Sequence, residues 1–155
     1  MTFEEIRSNE KIRTLISKAD ASLGALGFTE HSFAHVGAVT ERCSYILSTL
    51  GYPEHVVELA RIAAWMHDIG NLVNRVDHSQ SGAVMAFRIL DHLHFSPDEI
   101  GQIVSAIGNH DEGFGVPVSA MAAALIIADK SDVRRERVRN KDMSTFDIHD
   151  RVNYS

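Results

Sequence analysis

His35, His67, His78, His110 and Asp129 occupy positions that polar residues seldom take: each extends an apolar stripe at helical spacing, at or near a helix end. His35 lies four residues before Val39. His67 continues the series Val56, Ala60 and Ala63, and His78 leads into Gly82, Met85 and Ile89. His110 ends the series Ile100, Ile103 and Ile107, while Asp129 extends Ala122, Leu125 and Ile126. Burying one such group without a partner is costly. Inward groups from five helices are accommodated if they meet and satisfy one another, and a metal centre does this. Asp68 directly follows His67. Adjacent helical positions diverge by about 100°, so the pair suits either one ion approached at a frayed helix end or two ions bridged by the carboxylate. Nitrogen and oxygen donors without sulfur fit iron, manganese, zinc or cobalt better than a structural zinc site. Taken singly, an inward histidine is more often a hydrogen-bonded core residue than a ligand, and Asp129 alone reads equally well as a helix-terminal carboxylate. The constellation carries the argument.

Helices must position these groups, because apolar residues recur at helical spacing almost throughout and no period-2 strand stands out. The pattern predicts a first helix over about Phe3–Leu23, ending at Gly24 and Gly27. A second runs from near Ser32 to Leu50, with Val36, Val39, Cys43 and Leu47 on its stripe. Pro53 starts a third, which closes at Gly70. The segment Asn71–Asp77 reads as a loop before a fourth helix, about Ser79–His94. Ser96-Pro97-Asp98-Glu99 is a strong start for a fifth, with a capping serine, proline in the first turn and acids at the positive end of the helix. That helix runs to about Asn109. A glycine-rich loop, Asp111–Pro117, precedes a sixth helix from Ser119 to about Val133 or beyond. The expectation is one all-α domain over residues 1–155, a bundle of six or seven helices. The tail DIHDRVNYS ends on a polar segment, which suggests a chain cut from something longer.

Composition narrows the classes of function. The chain is 45% hydrophobic and 23% charged, and no apolar stretch approaches the ~20 residues that span a bilayer. The first residues are amphipathic, without the apolar run of a secretory signal, so the reading is a cytoplasmic enzyme with no membrane partner. The single cysteine, Cys43, excludes an internal disulfide and a thiolate zinc cluster, and its place on an apolar stripe marks a small buried hydrophobe. A net charge of −6 argues against non-specific nucleic-acid binding as the main role, and no specific nucleic-acid partner is expected. Six of the 15 lysines and arginines nevertheless fall between Lys130 and Lys141. On its own, Arg134–Arg139 is best read as a solvated helical face with Asp132 and Glu136 interleaved. His31, His55, His92, His94 and His149 fall off the stripes or in loops and read as surface residues; His31, one turn before His35, is the least secure of them.

Within this pattern, His35, then His67-Asp68 inside AAWMHDIGN, then Asp129 inside ALIIADKSD, resembles the H…HD…D signature of HD-superfamily phosphohydrolases. The dipeptide alone is weak. An alanine-rich helix ending in HDIG, with an upstream histidine and a downstream ADK, is specific, and the resemblance covers about residues 31–135. His78 in HSQSGA and His110 in GNHDEG are similar to the extra pair found in two branches: YqeK-type hydrolases of dinucleoside tetraphosphates, and HD-GYP cyclic di-GMP phosphodiesterases. The compact spacing from Asp68 to Asp129 looks more like the former. Asn71 stands where HD-GYP proteins carry a lysine, and DEGFGVPV follows His110 without a GYP-type motif. The segment ADKSDVRRERVRN departs from the YqeK pattern as well.

The resemblance implies one metal on His35, His67, Asp68 and Asp129, and a second on His78, His110 and a bridging Asp68. One or two divalent ions are expected, iron or manganese ahead of zinc, cobalt, nickel or magnesium. They would present hydroxide to phosphorus in a phosphoester or phosphoanhydride, with a nucleotide the expected substrate. Lys130 follows a ligand and is placed to donate to phosphate. If the helix continues, Arg135 and Arg139 share a face and bind further phosphates. Asp77 and Asp111 each neighbour a ligand, so either is a general acid or an orienting group. A homodimer is compatible with this reading. The competing readings are a metal-retaining but inactive module that binds a nucleotide or partner, and a plain helical interaction domain with core histidines.

Overall fold

Side-chain caps divide the chain into its elements. In the computed structural model, which describes residues 1–155, Thr2 and Glu5 form a reciprocal capping box at the start of α1 (Phe3–Ser8). Asn9 then ends α1 in an extended conformation (φ −64°, ψ 116°) and accepts a hydrogen bond from the Ile12 amide, starting α2 (Glu10–Ala25). The expected continuous first helix is therefore two. Ser32 caps α3 (Phe33–Thr49), and Pro53 precedes α4 (Glu54–Met66) as its cap residue. A 3-10 helix, Ile69–Leu72, follows α4 before α5 (His78–His92). Ser96 and Glu99 box the start of α6 (Pro97–Gly108), with Pro97 in the first turn as expected. Ser119 caps α7 (Ala120–Lys130). The tail, which carried no predicted element, forms α8 (Ile148–Tyr154) behind an Asp147–Asp150 capping box. The fold is all-helical without strands, but with eight α-helices rather than six or seven.

Helix α4 is the axis of the bundle. Val57, Leu59, Ala60, Ile62, Ala63, Ala64, Trp65 and Met66 are all buried, so its second half is apolar around the whole circumference, as a helix enclosed by neighbours must be. It packs on α1, α3, α6 and α7. Cys43 is buried on α3 as expected, and burial pushes its thiol up to about 12. No helix is long and apolar enough to cross a membrane.

One close approach fixes where α5 stands. A Cβ on Gly70 would lie 1.8 Å from the His78 carbonyl oxygen and 2.5 Å from the Gly82 amide nitrogen. A Cβ on Gly82 would in turn lie 3.2 Å from the Gly70 nitrogen. Backbone meets backbone there, and the start of α5 is drawn against the turn that follows α4.

Candidate metal centre

Helix α4 stops at Met66, so His67 and Asp68 occupy a turn rather than diverging helical positions. Their side chains reach one point: His67 Nε2 lies 3.0 Å from Asp68 Oδ2. From the first turn of α3, His35 brings its Nε2 to 3.5 Å from the same oxygen and 3.1 Å from Asp129 Oδ1. Asp129, in the last turn of α7, is also 3.6 Å from His67 Nε2. On the other side of the carboxylate, Asp68 Oδ1 is 3.5 Å from His78 Nε2 and 3.7 Å from His110 Nε2. Asp68 thus faces both sets with different oxygens.

The imidazoles are all oriented alike. Nδ1 contacts Ala64 O in His67 (2.7 Å), Ile107 O in His110 (2.7 Å), Arg75 O in His78 (3.1 Å) and Thr29 O in His31 (2.6 Å). A carbonyl accepts only from N–H, so each Nδ1 is the donor and each Nε2 is left to face inward. In His35 the outer partner is the Asp132 carboxylate, 2.7 Å from Nδ1. Histidines that ligate metals are held by such outer contacts.

The inner atoms lack what the outer ones have. His35 Nε2, His67 Nε2 and Asp68 Oδ2 are fully buried, and none makes a hydrogen bond. His78 Nε2 and His110 Nε2 face each other at 3.2 Å, which requires a proton or a cation between two lone pairs. A divalent ion on each side of Asp68 would satisfy every one of these atoms, so the residues present fit a metal centre. Three overlapping sets meet the distances for one ion: His35, His67 and Asp129; His67, Asp68 and His110; and His31, His35 and Asp68.

Charge is stored here in the metal-free protein. Burial alone would depress the His67 imidazole, but Asp68 and Asp129 outweigh it and hold it at about 10. His35 is likewise lifted to about 9 against burial by Asp129, Asp132 and Asp68. His31 goes the other way: burial dominates and takes it down to about 3, a neutral ring. The carboxyls of Asp68 and Asp129 stay well below their usual range despite burial, because the imidazoles favour the charged form.

The centre opens into a cavity of about 320 Å³. His31, Asp68, His78 and Asp129 form its floor, with Arg75, Glu112, Lys130 and Arg137 around it; α8 closes the far side through Ile148, His149, Val152 and Asn153. The model of the HD domain family matches residues 32–145 of this sequence. The chain belongs to the HD-domain family. Protein MJ1020 of Methanocaldococcus jannaschii is 24% identical over 161 aligned residues, covering 90% of this chain. The chain spans about 62% of that relative's length. A crystal structure of a predicted HD superfamily hydrolase from an uncultured Thermotogales bacterium is similar at a TM-score of 0.62 and 26% identity. That match covers 84% of this chain and 73% of the other.

Against this HD frame, the six residues expected to hold metal lie together as described. Lys130 lines the cavity, but its ammonium is engaged by Asp129 Oδ2 at 2.7 Å and by Glu112. Arg135 and Arg139 do not share a helical face, because α7 ends at Lys130 and the chain turns away. Arg135 covers the Tyr154 ring, and Arg139 binds Asp20 at 2.6 Å; neither lines the cavity. Asp77 is exposed, and Asp111 also lies outside the lining.

Three surface assignments are corrected. His31 is buried, with Nε2 3.9 Å from Asp68 Oδ2. It precedes the α3 cap, Ser32, so no helical stripe revealed it. The supposed solvated face contains two buried groups: Asp132, which holds His35, and Arg137, which donates to the Asp132 and Glu30 carbonyls at 2.6 and 2.9 Å. His149 lines the cavity with Nε2 3.5 Å from Glu112 Oε1. His55, His92 and His94 are exposed as expected.

Proposed function

We propose that this HD-domain chain is a metal-dependent hydrolase, and specifically a phosphohydrolase acting on a phosphoester or phosphoanhydride of a nucleotide-like molecule. The observation that carries the proposal is the meeting of His35 Nε2, His67 Nε2 and Asp68 Oδ2, buried and without hydrogen bonds, on one point beside Asp129. Divalent ions at such a centre lower the pKa of coordinated water and neutralise charge on phosphoryl oxygens. The HD-domain match and the similarity to a predicted HD hydrolase support the hydrolytic class. Placement of His78 and His110 on the second oxygen of Asp68 favours two ions, as in the two-metal branches that the sequence resembles.

The remaining residues have separable tasks. Asp132 fixes the tautomer of His35, and Ala64 O and Ile107 O do the same for His67 and His110. Glu112, drawn down to about 2 by Lys130 against the effect of burial, stays ionised and orients both Lys130 and His149. His149 is the cavity imidazole that makes no contact with Asp68, unlike His31 and His78, and we assign it the role of giving a proton to a leaving oxygen. The lining divides by polarity: charged groups surround the centre, while Val133, Ile148 and Val152 supply an apolar patch for the organic part of a phosphorylated molecule.

The test is elemental analysis of protein purified without chelator, followed by turnover of a nucleotide panel with manganese or iron restored. Nearly two ions per chain and hydrolysis of at least one phosphoester or anhydride are expected. A metal-free protein that hydrolyses nothing after reconstitution would reject the proposal.

A further inference from the structure

Three cationic side chains beside the centre face the cavity: Arg75, Lys130 and Arg137. Two are already neutralised. Lys130 lies against Asp129 and Glu112, and Arg137 against Asp132 and Glu30. Arg75 has no carboxylate within 4.0 Å, and its one hydrogen bond is from Nη1 to Asn71 Oδ1, at 3.1 Å. Its guanidinium is nevertheless fixed and half-buried, 6.0 Å from the Phe28 ring.

Arg75 is tied to the centre through one residue. Asn71, itself buried, donates from Nδ2 to Asp68 Oδ1 at 3.2 Å and to the Asp68 carbonyl at 3.0 Å, and accepts from Arg75 with its other amide atom. A single amide therefore separates the carboxylate placed between the two donor sets from an unneutralised guanidinium. Arg75 is also the residue whose carbonyl holds His78. A fixed arginine with spare N–H donors in a cavity is suited to a planar, bidentate grip on phosphate oxygens.

We infer that Arg75 forms a second phosphate subsite, so that the substrate carries two phosphoryl groups, one at the metal centre and its neighbour on Arg75. This rests on the hydrolase reading above and narrows it to phosphoanhydrides and other adjacent bisphosphates. Asn71 positions Arg75 and Asp68 relative to each other.

The test uses the full chain loaded with manganese and titrated calorimetrically with inorganic phosphate and with magnesium pyrophosphate, metal content being measured before and after. Wild type should bind pyrophosphate more tightly than phosphate. Arg75→Gln should weaken pyrophosphate by about 10- to 100-fold, the loss expected for a charge-assisted contact, with phosphate within about threefold, metal content unchanged and melting temperature unchanged. Arg75→Lys should recover part of the loss, because a point charge replaces the fork. Equal weakening of both anions, no preference of wild type for pyrophosphate, or a fall in bound metal in Arg75→Gln would overturn the subsite while leaving the hydrolase reading intact. Wild-type protein that binds neither anion would overturn both.

Discussion

Asp68 is the residue on which both donor sets depend, since one oxygen faces His35 and His67 and the other faces His78 and His110. Asp68→Asn removes the charge with little change of shape. Elemental analysis of this variant should show loss of most bound metal from both sites, whereas His110→Ala should lower the stoichiometry by about one. Protons compete at the same atoms. His35 and His67 sit at about 9 and about 10 without metal, against 6.5 for an ordinary histidine. Raised values mean that their ion pairs stabilise the metal-free protein fully below pH 6.5, and that this contribution fades as pH rises towards the folded values. Metal binding runs in the opposite sense, because the ligating rings must be deprotonated. The gap in melting temperature between metal-loaded and metal-free protein should therefore widen between pH 6.5 and about 9, and metal addition at neutral pH should release protons, measurable by calorimetry in two buffers. Legibility at this scale followed periodicity. Inward residues on helices were visible from their stripes, whereas His31, Arg75 and His149 escaped because two lie outside helices and one lies on a short helix of polar composition. Their importance comes from where the chain folds back, which spacing does not encode.

At the scale of elements, the glycine contact between the Ile69–Leu72 turn and α5 decides whether the second donor set exists. Gly70→Ala would place a methyl group inside backbone atoms of His78 and Gly82, neither of which can move as a side chain would. Overpacking of this kind costs about 1–3 kcal/mol and sometimes more. The variant should melt at lower temperature and bind roughly one ion fewer, with the His35 and Asp129 set retained; chemical denaturation and elemental analysis check the two effects separately. Capping explains which boundaries were legible. Ser32, Ser96 and Ser119 announced their helices correctly. Asn9 did not, because an asparagine within an amphipathic run looks tolerable until its own backbone turns extended and it both ends one helix and begins the next. The end of α7 was misplaced for a related reason: Asp132 leaves the helix to reach His35, a contact across 97 residues that outweighs any local preference for continuing.

For the molecule as a whole, a bound ion would join α3, the turn after α4, α5, the turn after α6 and α7, and so would contribute to folding as any ligand of the native state does. Chelation followed by thermal melting should lower the transition by several degrees, and restoring manganese should reverse it. The all-helical class was legible because alternation is missing along the chain, but the shape of the cavity was not. Its far wall is α8, a seven-residue helix whose short polar sequence offered no stripe to read. On the proposed function, substituting Val152→Asp on that wall should raise KM for the phosphorylated substrate severalfold while leaving the ion count unchanged.

That wall also separates two kinds of information within one chain. The family pattern ends at residue 145, and α8 begins at Ile148. The donor set and the α8 wall therefore come from separate stretches of the chain, while Arg75, Glu112, Lys130 and Arg137, which also line the cavity, lie within the first. On the proposed function, exchanging this closing helix should alter which molecules the cavity admits while leaving the donor set in place.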